Sequence, residues 1–151
     1  MGRPPDRAAF EAAYAALDAF FTAAAQRYAM VPDKTALLGF SQGGVMAYAF
    51  ALRQPKRFAA VAALSTWLVP ELVAAEGSTP ALDRLPVLVQ HGSSDQMIPI
   101  ERGRDAVPLL RQWNADVVYR EYDMGHEISG PSLRDLNEFL QRRLVSSLVS
   151  P

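Results

Sequence analysis

One short stretch of the sequence contains a candidate nucleophile. Ser41 lies in residues 39–44 (GFSQGG), which fit the pattern G-x-S-x-G. Apolar residues before the serine predict a strand and those after it predict a helix, so we expect Ser41 on a sharp strand-to-helix turn. Such a turn exposes the hydroxyl, its crowded backbone favours glycine on both sides, and the helix start offers N–H groups to an oxyanion. The pattern indicates attack by Ser41 on a carbonyl; a glycine-rich turn with an incidental serine is the alternative.

A nucleophilic serine needs a base, and the chain contains two histidines, His91 and His126. Each follows a predicted strand. At turns of this type the catalytic residues occur along the chain in the order serine, acid, histidine. That order favours His126 as the base, because Asp95 lies between Ser41 and His126, whereas His91 would precede its own acid. We interpret His91 as a structural histidine packed at the end of its strand.

Two aspartates could orient the base. Asp123 lies three residues before His126, and this short separation leaves little room for a hydrogen bond to the imidazole. Asp95 follows the neighbouring strand and could approach the ring from the side. We therefore predict Asp95 as the acid, with Asp123 as the less favoured alternative. The backbone N–H of Gln42, the residue after the nucleophile, is the predicted oxyanion donor.

The elements that would position these residues alternate between helices and strands. Hydrophobic periodicity predicts helices over 6–29, 42–53, 101–113 and 132–147. It predicts strands over 35–40, 59–64, 86–90 and 116–122. The run 59–64 fits a helix equally well by periodicity, but its length and neighbouring helices favour a buried strand. The alternation is typical of an α/β protein with a parallel sheet, here as a single domain over residues 1–151.

The ends of two predicted helices carry capping residues. Asp6 follows two prolines and can cap the first helix, and Ser132 is expected to start the last one. The apolar face of the last helix is predicted to contain Leu133, Leu136, Phe139, Leu140 and Leu144. Residues 65–84 include proline and glycine and are predicted to form a long connection between two strands, with one short helix.

The composition excludes several classes of function. The net charge is −1 and no basic patch is present, which argues against a nucleic-acid partner. The absence of cysteine excludes disulfides and thiolate chemistry and is compatible with a cytoplasmic location. No metal-ligand spacing and no phosphate- or dinucleotide-binding glycine pattern occurs, so we expect neither a metal nor another cofactor. The apolar windows are too short to span a membrane, and the N-terminus has no apolar signal core.

Three blocks of the sequence resemble the phospholipase/carboxylesterase family of α/β-hydrolases, which includes acyl-protein thioesterase-like enzymes. The blocks are residues 39–44 (GFSQGG), 91–99 (HGSSDQMIP) and 125–128 (GHEI). The resemblance covers nearly the whole chain and implies metal-free hydrolysis of esters or thioesters through an acyl-enzyme. The resemblance implies that Ser41 is the nucleophile, Asp95 the acid that orients the base, and His126 the base.

The sequence departs from the family before the helix at 6–29. Family members have several more strands there, and a loop with an HG-G type motif donates one oxyanion N–H. The only His-Gly pair of this chain, His91-Gly92, belongs to the loop of the acid. We therefore expect a truncated, minimal α/β-hydrolase fold of about four parallel strands with flanking helices. Loss of one oxyanion donor typically costs about 10²–10³ in kcat.

The substrate pocket is the least defined part of the prediction. Trp67, Leu68, Met97 and Ile98 follow strands at the triad's end of the sheet and are candidates for the acyl pocket, although simple loop packing is equally compatible with them. We expect a carboxylesterase acting on small-molecule esters with short- to medium-chain acyl groups. The alternatives are an acyl-protein thioesterase, a lysophospholipase, or a degenerate hydrolase that serves as a binding or assembly module.

The expected truncation also predicts an assembly. The strand at 35–40 should be an edge strand with apolar side chains such as Leu37 and Leu38, and exposed edges tend to pair. By analogy with the fold, only the helix at 132–147 should cover one sheet face, since the other three helices should cover the opposite face. A two-fold dimer would bury the edge or the remaining apolar patch. The alternative is a monomer in which residues 1–5 fold over the edge.

Overall fold

The structure is a computed structural model that describes residues 6–74 and 78–145. The segment 1–5, considered above as a cover for the edge strand, and the end of the helix expected to reach residue 147 lie outside the described residues. The chain forms two compact units, Met1–Val31 and Pro32–Pro151. The expectation of a single domain stays a prediction.

The described part of the first unit is dominated by helix α1, Arg7–Tyr28. Asp6 caps it as predicted, because its Oδ1 accepts hydrogen bonds from the N–H groups of Ala8 at 3.0 Å and Ala9 at 3.3 Å. The helix ends at Ala29, whose φ of 48° is the left-handed conformation that commonly closes a helix.

The second unit is built on a parallel sheet. Its strands lie side by side in chain order: β1 Ala36–Phe40, β2 Ala60–Leu64, β3 Pro86–Gly92 and β4 Asp116–Tyr122. β2 is buried at every position, so the run that periodicity left ambiguous is a strand, as predicted. β3 extends two residues beyond the prediction because its ladder with β4 continues through His91 and Gly92.

Helices cover both faces of this sheet. They are α2 Gln42–Arg53, α3 Pro70–Val73, α4 Glu101–Gln112 and α5 Gly130–Leu144, and 3₁₀ helices span Pro32–Lys34 and Pro55–Arg57. α2 and α4 connect strands that are neighbours in chain order, and right-handed crossovers place both of them on one face. α5 follows the last strand and packs over β2 and β3 on the opposite face. The short α3 is the helix expected within residues 65–84.

The core beneath α5 consists of alternate residues of two strands and two residues of the helix. Its members are Ala60, Ala62, Leu64, Leu88, Leu136 and Phe139. Leu140 packs against this core, so three predicted positions of the apolar face are confirmed. Leu144 is half-buried at the end of the helix.

The prediction for the start of α5 is wrong. The N-cap is Ser129, whose Oγ accepts a hydrogen bond from the Ser132 N–H at 3.4 Å, and Pro131 lies in the first turn. Ser132, four residues before Leu136, faces inward and is 1% exposed. Leu133 is therefore turned away from the sheet and is 55% exposed, contrary to its predicted place on the apolar face.

β1 is an edge of the described sheet, as predicted. Within the described sheet it pairs with β2 alone, and its partly buried Ala36 and Phe40 pack against the core beneath α5. Leu38, in the middle of β1, is 44% exposed, whereas Leu37 on the other face is half-buried. An apolar side chain therefore lies uncovered beside an unpaired strand edge.

Candidate active site

The chain turns sharply from β1 into α2 at Ser41. Ser41 has φ 53° and ψ −127°, a strained conformation that costs of order 1–3 kcal/mol for a residue with a side chain. Its N–H donates to the carbonyl of Leu64 at 2.9 Å. Its carbonyl accepts from the Gly44 N–H at 2.9 Å and from the Thr66 hydroxyl at 2.6 Å. The predicted strand-to-helix turn is confirmed, and both backbone polar groups of Ser41 are bonded.

Close approach explains two glycines around this turn. A Cβ on Gly39 would lie 2.3 Å from the carbonyl oxygen of Gly43, and a Cβ on Gly44 would lie 2.5 Å from the Cβ of Thr66. At Gly43 such a carbon would meet nothing within 4 Å apart from its chain neighbours and the backbone of its own helix. The expectation of a sterically required glycine on each side of the serine therefore holds at Gly39, but on the helix side the crowded position is Gly44.

Side chains from the carboxyl ends of three strands meet at Ser41. His126, in the loop after β4, has its Nε2 2.9 Å from Ser41 Oγ. The Nδ1 of the same ring lies 2.8 Å from Oδ2 of Asp95, which follows β3. In the tautomer that fits these contacts, Nδ1–H donates to the carboxylate and Nε2 accepts from the serine hydroxyl. This is the arrangement in which an imidazole can take the serine proton.

Backbone amides hold Asp95 in place. Its side chain has no exposed surface, and its Oδ1 accepts from the N–H groups of Met97 at 2.9 Å and Ile98 at 2.8 Å. Burial raises the pKa of this carboxyl, but the hydrogen bonds from Ile98, His126 and Met97 outweigh burial and hold its pKa below the usual range. Asp95 is therefore a stable anion that faces the imidazole from the side, as the sequence predicted.

The rival aspartate lies outside this line of contacts, whereas His91 borders it, with its Nε2 3.7 Å from Oδ2 of Asp95. Asp123 is exposed, and within the described residues its side chain makes no hydrogen bond to His126. His91 is fully buried behind the acid, and its Nε2 lies 2.8 Å from the carbonyl oxygen of Ile98. The contact with Ile98 ties His91 to the loop that carries Asp95, and the roles inferred from the sequence for Asp123 and His91 stay predictions.

The four candidate pocket residues lie in loops at the same end of the sheet. Trp67 and Leu68 follow β2 and are half-buried, as is Ile98, whereas Met97 is 71% exposed. The backbone N–H groups of Met97 and Ile98 donate to Asp95. The sequence could not predict this role from side-chain type, because every residue except proline carries a backbone N–H.

Two clefts lie elsewhere in the second unit. One, of about 460 Å³, lies between β4 and α5 and is lined by residues that include Arg120 and Glu138. The other, of about 320 Å³, is lined by residues that include Arg53 and Pro80. Neither cleft contains a residue of the predicted triad.

Within residues 6–74 and 78–145, no group of three or more histidine or acidic side chains is placed to hold a metal ion. No helix of that part of the chain is long and apolar enough to cross a membrane.

Comparison with known proteins identifies the family. The sequence profile described as Phospholipase/Carboxylesterase matches residues 5–144. The chain belongs to this family. It is 33% identical over 118 residues to acyl-protein thioesterase 1 of Gibberella zeae, a match that covers 76% of this chain and 50% of the relative. It is 32% identical over 118 residues to carboxylesterase SOBER1 of Arabidopsis thaliana, covering 77% of this chain and 51% of the relative.

A solved structure supports the same assignment. The crystal structure of esterase PE8 matches this chain with a TM-score of 0.79 at 34% identity, over 91% of this chain and 63% of that one. The chain spans about half the length of the curated relatives it matches. The resemblance inferred from the three sequence blocks is confirmed, and the parallel sheet with its flanking helices is the α/β-hydrolase fold of the phospholipase/carboxylesterase family.

The turn at Ser41 of this family member predicts different effects at two of its glycines. Gly39→Ala should lower the free energy of unfolding by about 3 kcal/mol, because the new Cβ overlaps backbone. Gly43→Ala, in the first turn of α2 with open space around it, should change that free energy by less than about 1 kcal/mol, toward higher stability. Urea unfolding of both variants measures this. Equal effects at the two positions would contradict the geometry of the turn.

Proposed function

We propose that the protein is a serine carboxylesterase that hydrolyses short- to medium-chain acyl esters through an acyl-enzyme intermediate. The observation that carries the proposal is the hydrogen-bonded line from Ser41 Oγ to His126 Nε2, at 2.9 Å, and from His126 Nδ1 to Asp95, at 2.8 Å. Membership of the phospholipase/carboxylesterase family supports it.

The reaction would proceed in two steps. In the first, Ser41 Oγ attacks the ester carbonyl while His126 Nε2 takes the serine proton, and Asp95 stabilises the imidazolium. The tetrahedral intermediate collapses, the bond to the alcohol breaks, and His126 gives its proton to the leaving oxygen. In the second step, a water that loses its proton to His126 attacks the acyl-serine, and release of the carboxylic acid returns the proton to Ser41.

The backbone N–H of Gln42 is the donor that we assign to the oxyanion. Gln42 is the first residue of α2, so no carbonyl lies one turn before it within the helix to accept its N–H. The positive end of the helix dipole adds to this donor. A donor of this kind is typically worth about 10²–10³ in kcat, which makes its orientation important.

The acyl group would lie against the loops that contain Trp67, Leu68, Met97 and Ile98. Met97 is mostly exposed and the other three are half-buried. These side chains offer apolar contact on an open surface rather than a deep tunnel. We therefore infer a shallow site that accepts short acyl chains and tolerates large leaving groups.

Two further activities use the same site. An acyl-protein thioesterase and a lysophospholipase would attack a carbonyl with the same serine, and one of the relatives is named acyl-protein thioesterase 1. A panel of oxygen esters and thioesters that varies acyl length and leaving group separates these activities. A degenerate hydrolase acting as a binding or assembly module would fail to react at Ser41 with a fluorophosphonate probe.

The triad predicts a shared loss of activity. Ser41→Ala and His126→Ala should each reduce kcat/KM by on the order of 10⁴- to 10⁶-fold, and the double variant should be little worse, because the pair acts as a unit. Asp95→Asn should lose much activity by permitting the wrong imidazole tautomer. Asp123→Asn is the matched control and should keep wild-type rates. Steady-state hydrolysis of p-nitrophenyl butyrate measures kcat/KM for each variant. Full activity in His126→Ala would contradict the assignment of His126 as the base.

The open site predicts an acyl-length profile. Across p-nitrophenyl esters, kcat/KM should be highest for short acyl chains and should fall for long ones. A fully buried methylene contributes about 0.8 kcal/mol, but an open site buries few of the extra methylenes of a long chain. Replacing p-nitrophenol by a bulkier aryl alcohol of similar acidity should change kcat/KM little. A maximum at long-chain lipid esters would count against the shallow site.

We also propose that the protein is a homodimer that covers the edge at β1 with a second copy. The unpaired strand edge and the exposed Leu38 beside it support this proposal. The cytoplasmic location expected from the sequence stays a prediction, which cell fractionation would test.

Sedimentation across a dilution series tests the dimer. Leu38→Lys should raise the dimer dissociation constant by about tenfold or more, because a charge in the contact opposes pairing. Leu133→Lys also changes an exposed leucine to lysine, but on α5, and should leave the dissociation constant unchanged. A wild-type protein that sediments as an active monomer at every concentration would refute the dimer.

A further inference from the structure

A buried threonine outside the triad is bonded to the peptide group that follows the nucleophile. Thr66 is the second residue after β2 and is 2% exposed. Its hydroxyl donates to the carbonyl oxygen of Ser41 at 2.6 Å, and the Gly44 N–H donates to the same oxygen at 2.9 Å. A carbonyl oxygen has two lone pairs, so these bonds hold it from two directions.

The peptide that joins Ser41 to Gln42 is planar, so this contact extends to the oxyanion site. In a trans peptide the carbonyl of one residue and the N–H of the next lie in a single rigid plane and point in opposite directions. Holding the Ser41 carbonyl therefore fixes the direction of the Gln42 N–H. Ser41 has the strained pair φ 53° and ψ −127°, so rotation of this plane about the Cα–C bond of Ser41 would otherwise relieve strain.

Thr66 is itself held firmly enough to fix that plane. Its Cβ, Cγ2 and Oγ1 lie 2.5–2.6 Å from the position of a Cβ on Gly44, so it packs directly over the Cα of that glycine. A β-branched side chain has restricted rotation at χ1. The residue before it, Ser65, is fully buried, has φ 46° and donates its N–H to the carbonyl of Gln90 at 2.8 Å.

We propose that Thr66 is a positioning residue for the oxyanion donor: its hydroxyl holds the Ser41–Gln42 peptide so that the Gln42 N–H points at the developing oxyanion. This inference rests on the proposed esterase function. It assigns to Thr66 an effect on the transition state, where charge develops on the carbonyl oxygen, and little effect on binding of the uncharged ester.

Three substitutions separate the hydroxyl from the packing of its side chain. Thr66→Ser keeps the donor and loses the methyl group, Thr66→Val keeps the bulk and loses the donor, and Thr66→Ala loses both. Thr66→Val brings a methyl group toward the Ser41 carbonyl, so Thr66→Ala provides the same loss of the donor without crowding. Thermal unfolding of each variant establishes that it is folded before its kinetics are compared.

The expected result is a loss that follows the hydroxyl. Thr66→Ala and Thr66→Val should lower kcat for p-nitrophenyl butyrate about tenfold, the effect of losing one hydrogen bond, with KM unchanged, while Thr66→Ser stays within about threefold of wild type. Affinity for a trifluoromethyl ketone, which forms a tetrahedral oxyanion on Ser41, should fall by the same factor as kcat/KM. A purely structural role would not produce this parallel.

Two results would overturn the proposal. Wild-type kcat in folded Thr66→Ala would show that the hydrogen bond from Thr66 to the Ser41 carbonyl is not needed. An equal loss in Thr66→Ser and Thr66→Ala would assign the effect to the methyl group. Failure of the proposed function is distinguishable, because the wild-type protein would then neither hydrolyse esters nor bind the ketone, and the role of Thr66 would fall with it.

Discussion

At Ser41 the chain leaves β1 and enters α2 with a φ of 53°, and a small set of backbone contacts keeps it there. The Ser41 N–H is bonded to the end of β2, and its carbonyl is bonded to α2 and to the loop after β2. Gly39 permits the first turn of α2 to approach the strand without a side chain between them. The rest of the site depends on this turn, because it sets both the direction of the nucleophile and that of the Gln42 N–H.

The parallel sheet brings the other groups to the same place. The carboxyl ends of β1, β3 and β4 lie at one end of the sheet, so the segments that follow them bring His126 within hydrogen-bonding distance of both Ser41 and Asp95. The ring centroids of Phe40 and His126 lie 4.7 Å apart, so Phe40 packs against the imidazole. The N–H groups of Met97 and Ile98 donate to the Asp95 carboxylate, and buried His91 contacts the carbonyl oxygen of Ile98. These contacts hold the loop that contains Asp95, so the anion is organised without a bound substrate.

Much of this arrangement could be predicted from the sequence, because chain order and strand ends decide which side chains meet. The strands followed from hydrophobic runs, and the meeting of Ser41, Asp95 and His126 followed from their order along the chain. The start of α5 could not be predicted as well, since Ser129 and Ser132 are both good capping residues and only packing places Ser132 inward. The contacts of Thr66 were missed because they depend on tertiary approach to a backbone carbonyl, which no local pattern of residue types encodes.

We propose that Ser41, activated by His126, becomes acylated during turnover. Rapid-quench mass spectrometry with p-nitrophenyl butyrate tests it most directly, because it observes the intermediate rather than the rate. We expect the intact protein to gain the mass of one butyryl group in the pre-steady state, and proteolysis to place this group on the peptide containing Ser41. Turnover of the ester with no acyl group on Ser41, or with the group on another residue, would contradict it.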